Sequence, residues 1–233
     1  ALLQVAPRGQ WIIDLAGADL DEAPYVRMTQ EMMVAFPHGG GTFAIEPDAS
    51  SGSFFWGINV FHETVEVANW PVTSWQIDTR FPRFISMPAE ISRAVDLGDS
   101  IMTAIVLAPL TGRAVTFTDL GRLRVQECER VHALRTELAK CGAVVTEKGD
   151  TLHLEPAELH GAEIETYPDH RMAMCFATLG LKVSGMKLRD PACVRKTFPN
   201  FFQKLAAPPP HGVGAEIRDA QGQPLSGDAL HAE

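Results

Sequence analysis

Three side chains suited to binding an anion or moving a proton stand together at Asp169, His170 and Arg171, directly before the apolar run Met172 to Phe176. The run has helical spacing, so the pattern predicts that the polar cluster lies at the start of a buried helix. The first backbone N–H groups of a helix have no partner within the helix and therefore attract anions. An arginine there adds a planar donor fork that matches carboxylate and phosphate groups. The stretch therefore predicts an anion-binding site at the mouth of a helix.

Asp99 is a second candidate, because Gly98-Asp99-Ser100 opens a predicted helix that carries Ile101 and Ile105. An acidic residue in this position is typical of an N-cap, whose carboxylate accepts a hydrogen bond from a backbone N–H group. A buried carboxylate at a helix start can equally serve as a general base. Local sequence favours the cap and leaves the catalytic role open.

The composition excludes several classes of protein. The 233 residues are 45% hydrophobic, which is enough to fill a core, and their formal net charge of −9 argues against a general nucleic-acid-binding protein. Four widely spaced cysteines lack the close pairing of zinc sites and disulfide frameworks, which predicts reduced thiols and a cytoplasmic location. No apolar run approaches the roughly 20 residues that span a bilayer. We therefore expect neither a nucleic acid nor a membrane as a partner.

The elements that must position these residues recur in a helix and strand order. The predicted helices are Ala23 to Phe36, Gly52 to Phe61, and Cys128 to Cys141, which ends at Gly142. A last predicted helix begins within Lys196 to Pro199, with Thr197 as its cap, and ends at Leu205. The predicted strands are Trp11 to Leu15, Thr42 to Ile45, Thr64 to Ala68, Ala114 to Asp119, a hairpin of Val144 to Glu147 with Thr151 to Glu155, Ile164 to Thr166, and Met186 to Arg189. This order predicts internally duplicated α/β units.

Two motifs in the C-terminal half, Asp169 to Met174 and Arg195 to Phe202, closely resemble signatures of the EPSP synthase family of 3-phosphoshikimate 1-carboxyvinyltransferases. The stretch Arg124 to Arg130 is similar to that family's Arg-Val-Lys-Glu-Thr-Asp-Arg sequence, and Asp48 to Ser51 is similar to its domain-crossover motif. The resemblance covers roughly Ala1 to Leu205, with the motifs in the family's order and at similar spacing.

The resemblance implies transfer of the enolpyruvyl group from phosphoenolpyruvate to the 5-hydroxyl of shikimate 3-phosphate, with release of phosphate and without a cofactor or metal. The donor-binding residues that it implies are Arg130, Arg171 and Lys196, with His170 beside them. The implied catalytic residues are Asp99 at the acceptor hydroxyl, Glu127 at the donor methylene, and Lys196. The implied acceptor contacts are Tyr25, Asp99, Arg122 and Gln126. On this reading Asp99 is both a cap and a base.

Three positions depart from the family pattern on the acceptor side. Gln126 stands where the family usually has a lysine, which removes one cation, and Arg122 stands where an asparagine is common, which restores charge nearby. Glu22 falls near a position where a serine usually touches the acceptor phosphate. A carboxylate there would repel that phosphate, unless the correspondence is shifted by one residue.

The fold that the resemblance implies is α/β (α+β), an inside-out α/β barrel of enolpyruvyl transferase type built from repeated βαβαββ units in two globular domains. Residues 1–47 then correspond to the end of the N-terminal-side domain, residues 48–207 to a nearly complete C-terminal domain, and residues 208–233 to a Pro-rich polar tail. The family's N-terminal Lys-Ser and Ser-Ser-Gln motifs have no counterpart in the sequence. We therefore expect a C-terminal fragment whose partner is the missing N-terminal portion.

Two other functions stay open on the sequence alone. The related UDP-N-acetylglucosamine enolpyruvyl transferase shares the implied fold, although the motifs Asp169 to Met174 and Lys196 to Pro199 favour the first family. A non-catalytic, anion-binding domain with a relict site is the other alternative.

Overall fold

A computed structural model of the chain describes residues 2–13, 22–62 and 65–232. Helices and strands follow one another through most of it and give a mixed α/β fold. The α-helices are α1 (Leu2–Gly9), α2 (Ala23–Ala35), α3 (Ala49–Trp56), α4 (Ile101–Leu107), α5 (Arg130–Lys140), α6 (His170–Gly180) and α7 (Phe201–Ala206). The strands are β1 (Glu90–Ser92), β2 (Val115–Thr118), β3 (Val145–Lys148), β4 (Thr151–Leu154), β5 (Glu163–Ile164) and β6 (Lys187–Leu188). Segments of 3-10 helix lie at Gly57–Val60, Ile77–Phe84, Ala108–Thr111, Leu120–Val125, Pro191–Lys196 and Gly227–Leu230.

The first four strands form one sheet in the order β1-β2-β4-β3. β1 and β2 run parallel, with α4 in the crossover between them, and β4 pairs antiparallel with both β2 and β3. The elements from β1 to β4 therefore follow one another as a βαβαββ series. β5 and β6 form a second parallel pair, with α6 in the crossover.

The centre of the core lies between this sheet and the helices. Val115 and Phe117 of β2 are fully buried, as are Leu152 and Leu154 of β4, and they alternate with less buried neighbours as a half-covered strand requires. Every residue of α4 is buried, and both α5 and α6 pack against it. Because these three helices pack together, the segments that precede them lie close to one another.

Most of the longer predicted elements are confirmed. The helices predicted at Ala23 to Phe36 and Cys128 to Cys141 correspond to α2 and α5, and Gly142 follows α5 with the left-handed φ of 89° that a glycine after a helix end tolerates. The polar cluster lies at the start of a buried helix as predicted, because α6 begins at His170 and Asp169 is its N-cap. The predicted hairpin is formed by β3 and β4.

Several shorter predictions are wrong. Residues 42–45 form no strand among the described residues, and neither do residues 65–68; Thr64 lies outside those residues. The predicted strand Trp11 to Leu15 is described only over residues 11–13, which have no regular secondary structure. Thr197 is not the N-cap of the last helix, because α7 begins at Phe201 with Asn200 at its N-cap. Runs of four or five residues carry too little periodicity to separate a strand from a loop.

Residues 208–232 fold back onto the rest of the chain. A bridge between Arg218 and Pro224 forms a small hairpin, and Leu230 and Ala232 are buried. The backbone N–H of Ala232 donates to the carbonyl oxygen of Pro199 at 2.9 Å. The end of the chain therefore packs against the segment between Lys196 and α7.

The close approach of two backbones at Gly161 gives a stability prediction. A Cβ on Gly161 would lie 2.4 Å from the carbonyl oxygen of Ser184 and from the backbone carbon of Gly185, just before the paired strands β5 and β6. Because backbone atoms cannot rotate away as side chains do, we expect Gly161→Ala to lower the free energy of unfolding by about 1–3 kcal/mol in urea titrations.

Gly39→Ala is the matched control for this substitution. A Cβ on Gly39 would meet no atom within 4 Å, so the free energy of unfolding should change by less than about 0.5 kcal/mol. Equal effects of the two substitutions would show that the contact at Gly161 does not limit packing.

Candidate active site

Asp169 is the N-cap of α6, and its carboxylate binds the backbone of one arginine and the side chain of another. Its carboxylate accepts a hydrogen bond from the backbone N–H of Arg171 at 2.8 Å and from Nε of Arg130 at 2.7 Å. The thiol of Cys128 lies 3.5 Å from the same carboxylate, and burial together with Asp169 raises the pKa of Cys128 to about 12, so it donates as a neutral thiol. Asp169 and Arg130 are both almost completely buried. The starts of α5 and α6 are therefore joined through one carboxylate.

The guanidinium of Arg130 reaches three further groups. It donates to Oε2 of Glu127 at 2.7 Å and to Oε1 of Gln126, and its Nη1 lies 3.9 Å from Oδ2 of Asp99. Burial opposes the charge of this side chain, but Asp169 and the other carboxylates outweigh burial and raise the pKa of Arg130. Arg130 therefore stays cationic although water does not reach it.

Glu127 lies between two cations. Lys196 donates to its Oε1 at 2.6 Å, and Arg130 donates to its Oε2. Burial alone would raise the pKa of Glu127, but Lys196 and Arg130 outweigh burial and lower it. Glu127 is therefore a carboxylate at neutral pH, with the proton-bearing ammonium of Lys196 within transfer distance.

Asp99 lies at the centre of the arginines and is not a helix cap. The N-cap of α4 is Ser100, whose side chain makes no capping bond, while Asp99 lies 2.9 Å from Nη2 of Arg93 and 3.5 Å from Nε of Arg171. Burial would raise the pKa of Asp99, but Arg171 and Arg93 outweigh burial and lower it. The expectation that Asp99 is also a cap is therefore wrong, because three cations compete with the helix for its oxygens.

Tyr25 reaches Asp99 across a glycine. Its hydroxyl oxygen accepts a hydrogen bond from the backbone N–H of Asp99 at 3.0 Å. A Cβ on Gly98 would lie 2.4 Å from that hydroxyl oxygen and 2.7 Å from Oδ2 of Asp78, so only glycine permits this approach. Burial and the neighbouring carboxylates raise the pKa of Tyr25, so the hydroxyl keeps its proton and has it available for another acceptor.

Arg93 is a residue of this cluster that sequence reasoning missed, and Glu22 is one whose contacts it did not predict. Arg93 directly follows β1, is 1% exposed, and pairs with Glu22 at 3.0 Å as well as with Asp99. Arg122 also faces Glu22, with its Nε 3.4 Å from Oε1. The only local signal for Arg93 is a charged residue two positions after the buried Ile91, and a three-residue strand is too short to make that signal visible.

His170 is buried beside the cluster and is not part of its open side. Its ring is 4% exposed, and its Nδ1 makes no hydrogen bond with the residues that the structure describes. Burial and the neighbouring Arg171 lower the pKa of His170, so the ring is neutral at neutral pH. The Nδ1 atom of His170 lies 3.9 Å from Oδ1 of Asp169, so the ring is next to the carboxylate that holds Arg130.

The structure thus joins the predicted residues into one continuous network. Arg171 sits at the edge of this network, where its Nη2 donates to Oγ of Ser50 at 2.9 Å and its Nε faces Asp99. The network's cations are Arg93, Arg122, Arg130, Arg171 and Lys196, and its carboxylates are Glu22, Asp99, Glu127 and Asp169. Tyr25 contacts Asp99 of this network, and Gln126 contacts Arg130. Such an arrangement can hold an anion and exchange protons with it.

Residues 2–13, 22–62 and 65–232 contain no group of three or more His, Cys, Asp or Glu side chains placed to hold a metal ion. Within those ranges no helix has the length and apolar composition needed to cross a membrane.

Comparison with known proteins places this network in a family. The model of the EPSP synthase (3-phosphoshikimate 1-carboxyvinyltransferase) family matches residues 89–205, which is half of the chain and includes every cation of the network. A 3-phosphoshikimate 1-carboxyvinyltransferase of Rhizobium etli is 35% identical over 240 residues, covering 89% of this chain and 56% of the relative. A protein of the same name from Nostoc punctiforme is 30% identical over 246 residues, covering 88% of this chain and 58% of the relative.

The solved structures that match include an EPSP synthase from Acinetobacter baumannii. It is 28% identical, with a TM-score of 0.45, over 48% of this chain and 27% of that one. The chain spans a little over half the length of the curated relatives that it matches. From the family match over residues 89–205, we conclude that the chain belongs to the EPSP synthase (3-phosphoshikimate 1-carboxyvinyltransferase) family.

Proposed function

We propose that the network forms part of an active site that transfers the enolpyruvyl group from phosphoenolpyruvate to the 5-hydroxyl of shikimate 3-phosphate and releases phosphate. The observation that carries this proposal is the buried Arg130–Asp169 pair, which holds Arg130 and Arg171 beside Lys196 and Asp99. The curated relatives carry the name 3-phosphoshikimate 1-carboxyvinyltransferase, which supports this proposal.

The donor side of the proposed site follows from charge. Phosphoenolpyruvate carries a carboxylate and a phosphate, so it needs several cations held at fixed positions. Arg130, Arg171 and Lys196 supply these, because carboxylates within the protein already hold each of them in place. His170 supports the start of α6 and has no proposed proton-transfer role.

The proton transfers are assigned from the ionisation of the two carboxylates. Asp99, a carboxylate at neutral pH, takes the proton from the acceptor hydroxyl as its oxygen attacks C2 of the donor. The C3 methylene gains a proton from Lys196, relayed by Glu127, because these groups are 2.6 Å apart. Phosphate then leaves from C2 as Glu127 removes a proton from C3, which restores the double bond. Glu127 returns this proton to Lys196, and the hydroxyl proton held by Asp99 is released with the phosphate.

The acceptor side is proposed to lie around Asp99. Tyr25 offers its hydroxyl proton, and Arg122 offers a guanidinium at the exposed rim. The Oε1 atom of Gln126 accepts from Arg130, so the amide nitrogen is directed away from that arginine as a donor for the acceptor. We propose that this amide replaces the lysine that is usual in the family.

The proposed domain arrangement has support from the order of the elements. We propose an inside-out barrel of repeated βαβαββ units, of which the series from β1 to β4 is one and the series beginning at β5 is the start of another. Residues 1–47 would belong to one globular domain, residues 48–207 to a second, and residues 208–233 to a tail that packs on α7. We propose that the rest of the active site comes from an N-terminal portion, within the part of the Rhizobium etli relative that this chain does not cover.

The proposal is tested by joining the chain to the N-terminal portion of the Rhizobium etli relative. Phosphate release from phosphoenolpyruvate and shikimate 3-phosphate should require both parts, and the chain alone should release none. Absence of phosphate release from the folded, joined protein would contradict the proposed function and favour a relict anion-binding domain.

Lys196→Ala tests the proton relay in the joined protein. Loss of the ammonium beside Glu127 should lower kcat by roughly 10²–10⁴-fold, because a positioned proton donor contributes about that much to such a step. Lys204→Ala, which removes an exposed lysine of α7, should leave kcat unchanged. Equal kcat values for the two variants would exclude Lys196 from the chemistry.

Glu22→Gln tests whether this carboxylate competes with the acceptor for Arg93 and Arg122. The substitution removes a negative charge beside the proposed phosphate position, so KM for shikimate 3-phosphate should fall by about threefold to tenfold, with KM for phosphoenolpyruvate unchanged. Glu31→Gln, on the exposed surface of α2, is the control and should change neither KM. A rise in the acceptor KM of the Glu22 variant would show instead that Glu22 helps to hold the acceptor.

A further inference from the structure

Glu137 is a fully buried carboxylate on α5, two helical turns after Arg130. It accepts hydrogen bonds from Nζ of Lys140 at 2.7 and 2.8 Å, from the hydroxyl of Tyr167 at 2.8 Å and from the backbone N–H of Glu165 at 3.1 Å. Taking a carboxylate out of water costs more than one half-exposed ion pair returns. The pair with Lys140 therefore does not by itself explain why this residue is buried.

The other two donors belong to the segment that leads into Asp169. Tyr167 has a left-handed φ of 55°, which a residue with a side chain adopts only when its surroundings hold it there. Burial and the hydrogen bond to Glu137 raise the pKa of Tyr167, so the phenol keeps the proton that it donates. The N–H of Asp169 donates to the carbonyl oxygen of Thr166 at 2.9 Å. The hydroxyl of Thr166 in turn donates to the carbonyl oxygen of Arg189 at 2.8 Å.

One helix thus holds this segment at two points. Near its start, α5 binds Asp169 through Arg130, and two turns later it binds Tyr167 and Glu165 through Glu137. A single contact would let the segment pivot about it, whereas two contacts fix both the position and the direction of the Asp169 carboxylate. The orientations of Arg130 and of the start of α6 depend on that carboxylate.

We propose that Glu137 is a positioning residue, which fixes the Asp169 carboxylate through Tyr167 and so holds Arg130 in the geometry that the anion site needs. The structural part of this inference stands on the contacts alone. Its kinetic consequence rests on the proposed function.

The structural part is tested in the full chain by measuring hydrogen exchange of the Arg130 Nε–H group by NMR, with the signal assigned by its loss in Arg130→Lys. This proton is buried and bonded to Asp169, so it should exchange slowly. Tyr167→Phe removes only the hydroxyl and should speed exchange by about five- to tenfold, as expected when one supporting hydrogen bond is lost. Glu137→Gln should speed exchange at least as much.

Lys140→Met is the matched control, because it removes a contact to the same carboxylate and leaves those to Tyr167 and Glu165. Exchange at Arg130 should then stay as in the unchanged chain. Unchanged exchange in Tyr167→Phe, or equal acceleration in Lys140→Met, would overturn the inference. Tyr167→Phe keeps the ring and its packing, so it decides the question even where Glu137→Gln fails to fold.

The kinetic part is measured in the joined protein. Tyr167→Phe should raise KM for phosphoenolpyruvate by about threefold to tenfold and leave KM for shikimate 3-phosphate unchanged. A merely structural role would reduce the amount of active protein and alter neither KM, and that result would overturn the inference. Absence of turnover in the unchanged joined protein would instead contradict the proposed function, while the exchange measurement would still decide the role of Glu137.

Discussion

The buried pair of Asp169 and Arg130 is the constraint on which the rest of the site depends. Neither side chain is exposed to water, so each needs the other to offset the loss of hydration. Breaking such a pair by removing one partner costs about 3–5 kcal/mol, whereas the complete pair adds little net stability. Its contribution is therefore geometric: it joins the starts of α5 and α6 and directs the remaining donors of Arg130 towards Glu127 and Gln126.

Charges in the network hold one another in their ionised forms. Asp99 and Glu127 have lowered pKa values because nearby cations outweigh the effect of burial. Arg93 and Arg130 have raised pKa values because nearby carboxylates outweigh burial, which alone would lower them. An anionic substrate that enters must replace some of these internal partners. The exposed members of the network are the ones that can exchange partners, since Lys196, Arg122 and Glu22 are each more than a third exposed. The buried members keep theirs.

Sequence reasoning succeeded where structure is local. The helices α2, α5 and α6 have long apolar periodicities, and the helix start at the Asp169 cluster and the glycine after α5 depend only on residues nearby in the chain. It failed over short stretches such as residues 42–45, because a strand exists only where a partner strand accepts its hydrogen bonds. The cap predicted at Asp99 failed for a related reason: Arg93 and Arg171 bind its carboxylate, and the N-cap of α4 is Ser100.

The sequence by itself determined the family, through motifs that contain Asp169, Arg171, Arg130 and Lys196, and it determined which side chains can carry charge. Only the tertiary structure decided which charges meet. Arg93 and Glu22 are 71 positions apart, and Arg171 and Ser50 are 121 apart. A cap or a turn depends on backbone angles within a few residues, which the local sequence encodes, whereas such contacts depend on how the packed helices and the sheet bring remote segments together.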